Sequence, residues 1–282
     1  MAELFHMPDP MDVRRIPVAG DATDNSGARM ANVARIYDYL LGGTENSEED
    51  RRAAEQLLDA VPDAAVAAWD NREFLGRAVH YLAKEAGIRQ FIDIGTGLPT
   101  RGNVHSIAQQ VTSESRVVYV DYDREVIAHA QALLARNPNV LAVEGDLRKP
   151  ELLFADRAVR SFINFDEPIA VLLVAVLHFI KDDEHPYQAV SALKNMMPPR
   201  SYLVLSHVTS DDITAEAARR AEMLYERTTA PGVTRTRADV ERFFEGLELL
   251  PPGLVNVAAW RAGWMAANPG RTIFYAGVGV KR

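Results

Sequence analysis

An α/β fold built on a mostly parallel sheet, with helices on both faces, follows from three features of the sequence. The first is the stretch 90–146, where short apolar runs (QFIDI, RVVYV, VLAVE) alternate with segments long enough for crossover helices. Parallel neighbours cannot be joined by a hairpin, so strand, helix, strand, helix, strand is how a parallel sheet begins. The second is IAVLLVAVL, an almost unbroken apolar run within 168–179. A strand that apolar on both sides belongs in the middle of a covered sheet. The third is that the first three runs close on turn glycines or carboxylates, at the strand ends where open α/β sheets collect ligands.

The elements can be taken in order. Residues 1–27 carry Pro, Asp, Gly and Ser with little periodicity and read as a flexible tail or strap. Residues 28–88 read as a helical cap. Its first helix starts at Met30 and places Val33, Ile36, Tyr37, Leu40 and Leu41 at three-four spacing before stopping at Gly42-Gly43. The second starts at Ser47, with Glu48, Glu49 and Asp50 in the first turn, where exposed amides favour negative charge. The third covers 64–86, with Val66, Trp69, Phe74, Leu75, Val79 and Leu82 expected inward.

The α/β unit is expected over 89–282. Strands are predicted at 90–94, 116–120, 140–144, within 168–179 and at 202–206, with helices at 103–111, 125–136, 150–154 and 182–197 between them. A helix at 211–227 has no strand partner and reads as an insertion near 210–235. Another helix at 237–246, a strand within 247–257 and a final alternating strand at 272–280, with FYAGVGV, finish the chain. The last two strands suggest an antiparallel edge pair, which a mostly parallel sheet tolerates.

Composition narrows the function. A chain of 282 residues without internal repeats fits one large domain with additions. The formal charge of -8, with no basic cluster, argues against a nucleic-acid partner, whose backbone needs a basic face. No apolar run reaches the roughly eighteen residues of a membrane span, and the amino terminus lacks the pattern of a secretory signal. The absence of cysteine removes disulfides, thiolate metal sites and cysteine nucleophiles, and fits a cytoplasmic enzyme.

Gly95 and Gly97 follow the first strand and let the backbone turn sharply beside a ligand. A dinucleotide fingerprint would want another glycine where this chain has Thr100, so the cradle is partial and a purely structural turn is the alternative. Asp121, at the end of the second strand, is placed to accept hydrogen bonds from both hydroxyls of a ribose. Asp123 is either a second contact or, preferably, the cap of the following helix. Asp146, between Gly145 and Leu147 after the third strand, is either the partner of an adenine amine or a solvated turn residue. Three strand ends carrying these residues in order point together to a nucleoside with free ribose hydroxyls.

These motifs (NVARIYDYLLGGTENSEEDR at 32–51, FIDIGTGLPTRGNVH at 91–105, YVDYDREVIAHA at 119–130, GDLRKP at 145–150 and LLVAVLHFI at 172–180) make the chain resemble class I S-adenosylmethionine-dependent methyltransferases. More narrowly, it is similar to an actinobacterial family formerly known as a domain of unknown function. The resemblance covers nearly everything from residue 25 onward. It implies a Rossmann-like class I methyltransferase fold, with a mostly parallel seven-stranded sheet, an antiparallel carboxyl-terminal strand and the amino-terminal helices as an addition.

The cofactor implied is S-adenosyl-L-methionine. By position, Asp93, Gly95, Thr96 and Gly97 would lie against its methionine part and ribose. Asp121 with Tyr122 would hold the ribose side, and Asp146 with Leu147 would face the adenine. Leu177 and His178 would border the transferred methyl group. The chain departs from the superfamily in its stiffer Thr96-Gly97-Leu98-Pro99 turn, and from the narrower family in having Phe179 where a second histidine is expected. On the first helix, Arg35 is either a partner of the cofactor's carboxylate or half of an ion pair with Asp38, and Tyr37 or Tyr39 would close over the ligand.

His178 is the candidate general base, with packing as its alternative role, and His207 is the alternative base. No histidines are spaced for a metal, and none is expected. The expected activity is methyl transfer to a small-molecule oxygen or nitrogen nucleophile by a monomer or homodimer. The alternatives are a non-catalytic protein that binds S-adenosylmethionine or S-adenosylhomocysteine, or a nicotinamide-dependent oxidoreductase.

Overall fold

The computed structural model describes residues 30–99, 102–262 and 273–282. The expected tail at 1–27 lies outside the described residues. Three helices open the described chain: α1 (Val33–Leu40), α2 (Glu48–Ala60) and α3 (Ala64–Lys84). Asn32 caps α1 by accepting from the amides of Ala34 and Arg35. Ser47 and Asp50 form a reciprocal capping box on α2, satisfying amides that a helix start leaves open. The buried face of α3 is set by Ala67, Ala68, Asn71, Phe74, Leu75 and Ala78. Phe74, Leu75, Val79 and Leu82 are buried as expected. Val66 and Trp69, expected inward, are 61% and 41% exposed, because the alanines let the helix dock closely on a neighbouring face.

From here strand and helix alternate: β1 (Gln90–Ile94), α4 (Val104–Val111), β2 (Arg116–Asp121), α5 (Arg124–Leu134), β3 (Val140–Glu144), α6 (Pro150–Ala155), α7 (Arg157–Phe162), β4 (Ala170–Val174), α8 (Pro186–Met196) and β5 (Tyr202–Val208). The insertion helix α9 (Ala215–Tyr225) and α10 (Arg237–Arg242) precede β6 (Glu248–Leu249), β7 (Val255–Asn256) and β8 (Phe274–Val280). Asp123 caps α5, as preferred from sequence, by accepting from the amide of Glu125. The helix expected over 182–197 is broken at its start. A 3-10 turn over Asp182–Glu184 leads into α8 through His185, which has φ +59°. Helix α7 has no counterpart in the expectations; its cap is Asp156.

Among the described residues the sheet runs in the order β3-β2-β1-β4-β5-β8-β6, with β7 pairing β8 off this path. The ladders from β3 through β5 are parallel, and β8 is antiparallel to β5, β6 and β7. The seven strands of that path are the mostly parallel sheet with an antiparallel carboxyl-terminal strand expected above. β8 and β6 form the expected antiparallel pair at this edge of the sheet, with β8 on the inner side against β5. Its register against β5 carries pairing to His207↔Tyr275 and Val208↔Phe274, so β5 outlasts the expected end at 206 and His207 lies inside the strand.

Alternation along the central strands divides the core into two layers. Phe91, Val117, Tyr119, Ala170, Leu172 and Val204 pack towards α1, α2, α3, α4 and α5. Ile92, Ile94, Val118, Val120, Val171, Leu173 and Leu205 pack towards α6, α7, α8 and α10. The continuous apolar run of β4 is therefore a strand with both faces covered. No helix among the described residues is long and apolar enough to cross a membrane.

Candidate functional site

The carboxyl ends of β3, β2, β1 and β4 open into one cavity of about 300 Å³, roofed by α1, α2, α3, α9 and the segment 229–234. At the end of β1, Gly95 has φ +73°, a conformation that L side chains rarely adopt. A Cβ there would lie 2.2 Å from Cγ2 of Val176, so the first turn can press against the turn after β4 only as glycine. Asp93 is 6% exposed and accepts from Thr96 Oγ1 at 3.1 Å. Burial pushes its carboxyl up to about 6, against the pull of nearby Arg72.

Asp121 closes β2. Its Oδ2 accepts the Gly97 amide at 2.9 Å, and its Oδ1 accepts the Asp123 amide at 3.0 Å. Burial raises this carboxyl too, to about 6, although both amides favour its charged form. Tyr122 is 45% exposed at the rim, with its hydroxyl donating to the Thr229 carbonyl at 3.3 Å and the Arg148 guanidinium 6.0 Å from its ring centre. Asp146 accepts from Nε of Arg148 at 2.8 Å and from its amide at 2.9 Å. Burial works to raise Asp146, but Arg148 outweighs it and the carboxyl is held below the ordinary range. Leu147 is buried beside it on the cavity wall.

After β4 the chain turns at Ala175, φ +56°, into a 3-10 turn over Leu177–Phe179. The turn sends Val176 and His178 to the cavity. Leu177 is fully buried in the opposite core layer, away from the place expected for it. The His178 ring is 7% exposed, and its Nδ1 is buried without a hydrogen-bond partner. Burial, and then the neighbouring His207 and Arg235, hold the imidazole well below its ordinary value, so it is neutral.

His207 does not reach the cavity. Its Nδ1 lies 2.6 Å from the Val208 carbonyl and its Nε2 lies 2.8 Å from Nη1 of Arg235, so Nδ1 is the donor and Nε2 the acceptor. Burial and Arg235 lower it to about 3. Arg235, 4% exposed, also donates to the carbonyls of Leu177 and Ile180 and to Asp182 Oδ1. It thereby holds the segment that carries His178.

On α1 the structure separates residues the sequence had grouped. Arg35 sits between Asp50 Oδ2 at 3.0 Å and Glu125 Oε2 at 2.6 Å, joining α1 to α2 and α5, and does not line the cavity. Its ion pair is with these residues and not with Asp38, which accepts from the Glu45 amide and the Asn46 side chain, each at 2.8 Å. Tyr39 faces outward towards Glu55. Of the two tyrosines on α1, Tyr37 lines the cavity; its hydroxyl donates to the Ala68 carbonyl and accepts from Asn71 Nδ2 at 2.9 Å. Asn71 in turn accepts from Ser206 Oγ at 2.6 Å.

Arg72, on the cavity wall near Asp93, was not singled out from sequence. A lone arginine in a helix reads as surface charge until the helix is docked. Among the described residues no cluster of side chains fit to hold a metal occurs. The donor set suits S-adenosylmethionine instead. Asp121, Asp93 and Asp146 offer acceptors to hydroxyls and amines, the Tyr122 ring lies at the rim, and the acidic lining suits a cationic sulfonium.

The family model for S-adenosyl methyltransferases matches residues 20–282. A duf574 family protein from Streptomyces avermitilis MA-4680 is 38% identical, superposes with a TM-score of 0.84, and covers 90% of this chain and 98% of its own. A candidate methyltransferase from Thermobifida fusca YX is likewise 38% identical, with a TM-score of 0.83 and coverage of 90% and 96%. The CMeT domain of the citrinin polyketide synthase, 11% identical with a TM-score of 0.53 and coverage of 87% and 59%, shares the fold alone. No curated protein matches the chain. The family match decides between methyl and hydride transfer: this chain belongs to the S-adenosyl methyltransferase family, as a class I enzyme that uses S-adenosylmethionine.

Proposed function

We propose that this methyltransferase acts on an oxygen or nitrogen of a small molecule held beneath the helical cap, with His178 as the base. One observation carries the reading. Asp93, Asp121, Asp146 and His178, from four adjacent strand ends, line a single cavity whose roof is largely apolar. S-adenosylmethionine supplies an electrophilic methyl group on a sulfonium. Asp121 would accept the ribose hydroxyls, Asp146 with Leu147 and Tyr122 would border the adenine, and the Asp93–Gly97 turn would cradle the methionine part. Arg72, which lines the cavity where Arg35 does not, would pair with the carboxylate.

The neutral imidazole of His178 would receive the acceptor's proton, and the cap would exclude water and align the nucleophile. This division of labour assigns residues up to about 88 to the cap and 89–282 to cofactor binding, with the insertion near 210–235 as a further wall. A net charge of -8 supports a small acceptor rather than a nucleic acid, and the lack of cysteine fits the cytoplasm. Assembly as a monomer or homodimer is part of the same proposal.

The test is His178→Ala. Turnover should fall about 10²- to 10⁴-fold, while S-adenosylhomocysteine binds as before. Undiminished turnover removes His178 from the chemistry.

A further inference from the structure

We infer that the acceptor is an uncharged, ring-bearing phenol, held against the aromatic group formed by His178, Phe179, Tyr225 and Phe274. The inference rests on the methyltransferase reading and names its substrate class.

Three observations lead to it. The first is how charge is divided across the cavity. Among the described lining residues, Asp93, Asp121, Asp123, Asp146 and Arg148 lie at strand ends or just after them, and Arg72 reaches towards Asp93 from α3. The far wall is made of Leu57, Val61, Ala68, Leu75, Ile213 and Ala221. The charged residues on the cap side are acids: Asp38 on α1, whose Oδ2 accepts from the Glu45 amide and the Asn46 side chain and whose Oδ1 is buried without a partner, and Glu222, whose Oε1 accepts from the Thr234 hydroxyl at 3.0 Å and the Thr234 amide at 3.3 Å. The described arginine nearest that wall is Arg72, on the same face of α3 as Ala68 and Leu75, which the cofactor's carboxylate would engage; a further carboxylate or phosphate would meet the acids Asp38 and Glu222, and burying such a group unpaired is strongly unfavourable.

The second is ring geometry. The His178 ring lies 4.2 Å from Phe179 and 5.9 Å from Phe274, and Phe179 lies 5.6 Å from Tyr225, centre to centre. These four side chains all line the cavity and offer faces and edges to a flat guest. The third is the base. His178 Nδ1 has no partner, and the ring is neutral in its buried setting. Such an imidazole is a weak base, and a phenol, near 10 like tyrosine, is far easier to deprotonate than an aliphatic alcohol. In the step, the phenol oxygen bonds to the methyl carbon as the carbon–sulfur bond breaks. The bonding pair goes to sulfur, which becomes neutral, and the phenolic proton goes to the His178 imidazole.

The test titrates the full-length protein, saturated with S-adenosylhomocysteine, with naphthol, hydroxynaphthoic acid and naphthylamine, and follows methyl ether formation by mass spectrometry when S-adenosylmethionine replaces the product. Naphthol should bind and be converted, and the carboxylated compound should bind at least about tenfold more weakly. Ala68→Trp, and separately Leu57→Trp, should abolish naphthol binding while each variant keeps its affinity for S-adenosylhomocysteine. Tighter binding of the acid or the amine than of naphthol, no binding of any of the three, or naphthol binding that both variants leave intact overturns the substrate class. Loss of S-adenosylhomocysteine affinity in the unmodified protein would instead remove the methyltransferase reading beneath it.

Discussion

Gly97 donates its backbone N–H to Oδ2 of Asp121 at 2.9 Å, which ties the turn after β1 to the acid that ends β2. The bond fixes the carboxylate at the crevice and gives the two acidic strand ends a shared response to pH. Asp93 and Asp121 are both raised by burial from 3.8 to about 6, with the charge of Asp121 adding to the rise of Asp93 and that of Asp123 to the rise of Asp121. The folded protein therefore holds these protons at a pH where the unfolded chain has released them. Their contribution to stability is fully present below about pH 4 and is lost as pH rises through about 6.

Thermal melts of the ligand-free protein should accordingly show stability falling between pH 4 and 6 relative to Asp121→Asn. Affinity for S-adenosylhomocysteine should rise over the same interval, because the ionised carboxylate is the better acceptor. In Asp121→Asn the affinity should drop by at least about tenfold, as expected for a lost hydrogen bond to a charged group. A flat affinity profile in the unmodified protein would contradict the assignment.

Arg35 and Arg72 should separate cleanly. Asp50 is fully buried against Arg35, so Arg35→Met leaves a carboxylate without its cation and should cost about 3 kcal/mol, read as a lower melting temperature. The folded fraction should bind S-adenosylhomocysteine normally. Arg72→Met should do the reverse, weakening that ligand by roughly tenfold or more at a small cost in stability.

The contact of Gly95 with Val176 makes a steric double-mutant cycle. Gly95→Ala puts a Cβ 2.2 Å from Val176 Cγ2 at φ +73°, and should destabilise the protein and abolish cofactor binding. Adding Val176→Ala removes the 2.2 Å contact but leaves the two Cβ atoms 2.7 Å apart, so it should recover only part of the loss, with the residual clash and about 1 kcal/mol of backbone strain remaining. Chemical denaturation of the two single variants and the double variant measures the coupling, and simple additivity would exclude the contact as its cause.

Arg235 positions His178 without touching the cavity. Arg235→Met strips donors from the carbonyls of Leu177 and Ile180 and leaves the His207 Nε2 acceptor unmatched, which should cost about 3 kcal/mol or more. Methyl transfer should fall in kcat while the affinity for S-adenosylhomocysteine changes little. Arg235→Lys should recover only part of the loss, because one ammonium cannot reproduce the planar fork.

Much of this was legible in the sequence because it is local. β1 and β3 fall at their expected bounds, since each is a compact apolar run ended by a turn. Asp93, Gly95, Thr96, Gly97, Asp121, Tyr122, Asp146 and Leu147 reach one cavity because residues at the ends of adjacent parallel strands converge there. The helical cap was less legible. Amphipathic spacing marked α1, α2 and α3 and put Phe74, Leu75, Val79 and Leu82 inward, but it missed that Ala67 and Ala68 take the buried face where Val66 and Trp69 were expected.

By itself, then, the sequence determined the alternation of strands and helices, the glycine turn and the acids that follow β1, β2 and β3, because hydrophobic period and turn chemistry act over a few residues. Only the tertiary structure decided that Arg72 and not Arg35 lines the cavity, that Val176 and His178 enter it while Leu177 turns away, and that His207 is locked inside β5. The side a helix presents is set by what it docks against, and the side chains after a strand by one residue, Ala175, in a left-handed conformation. Those choices depend on contacts between segments far apart in the chain, which no local pattern encodes.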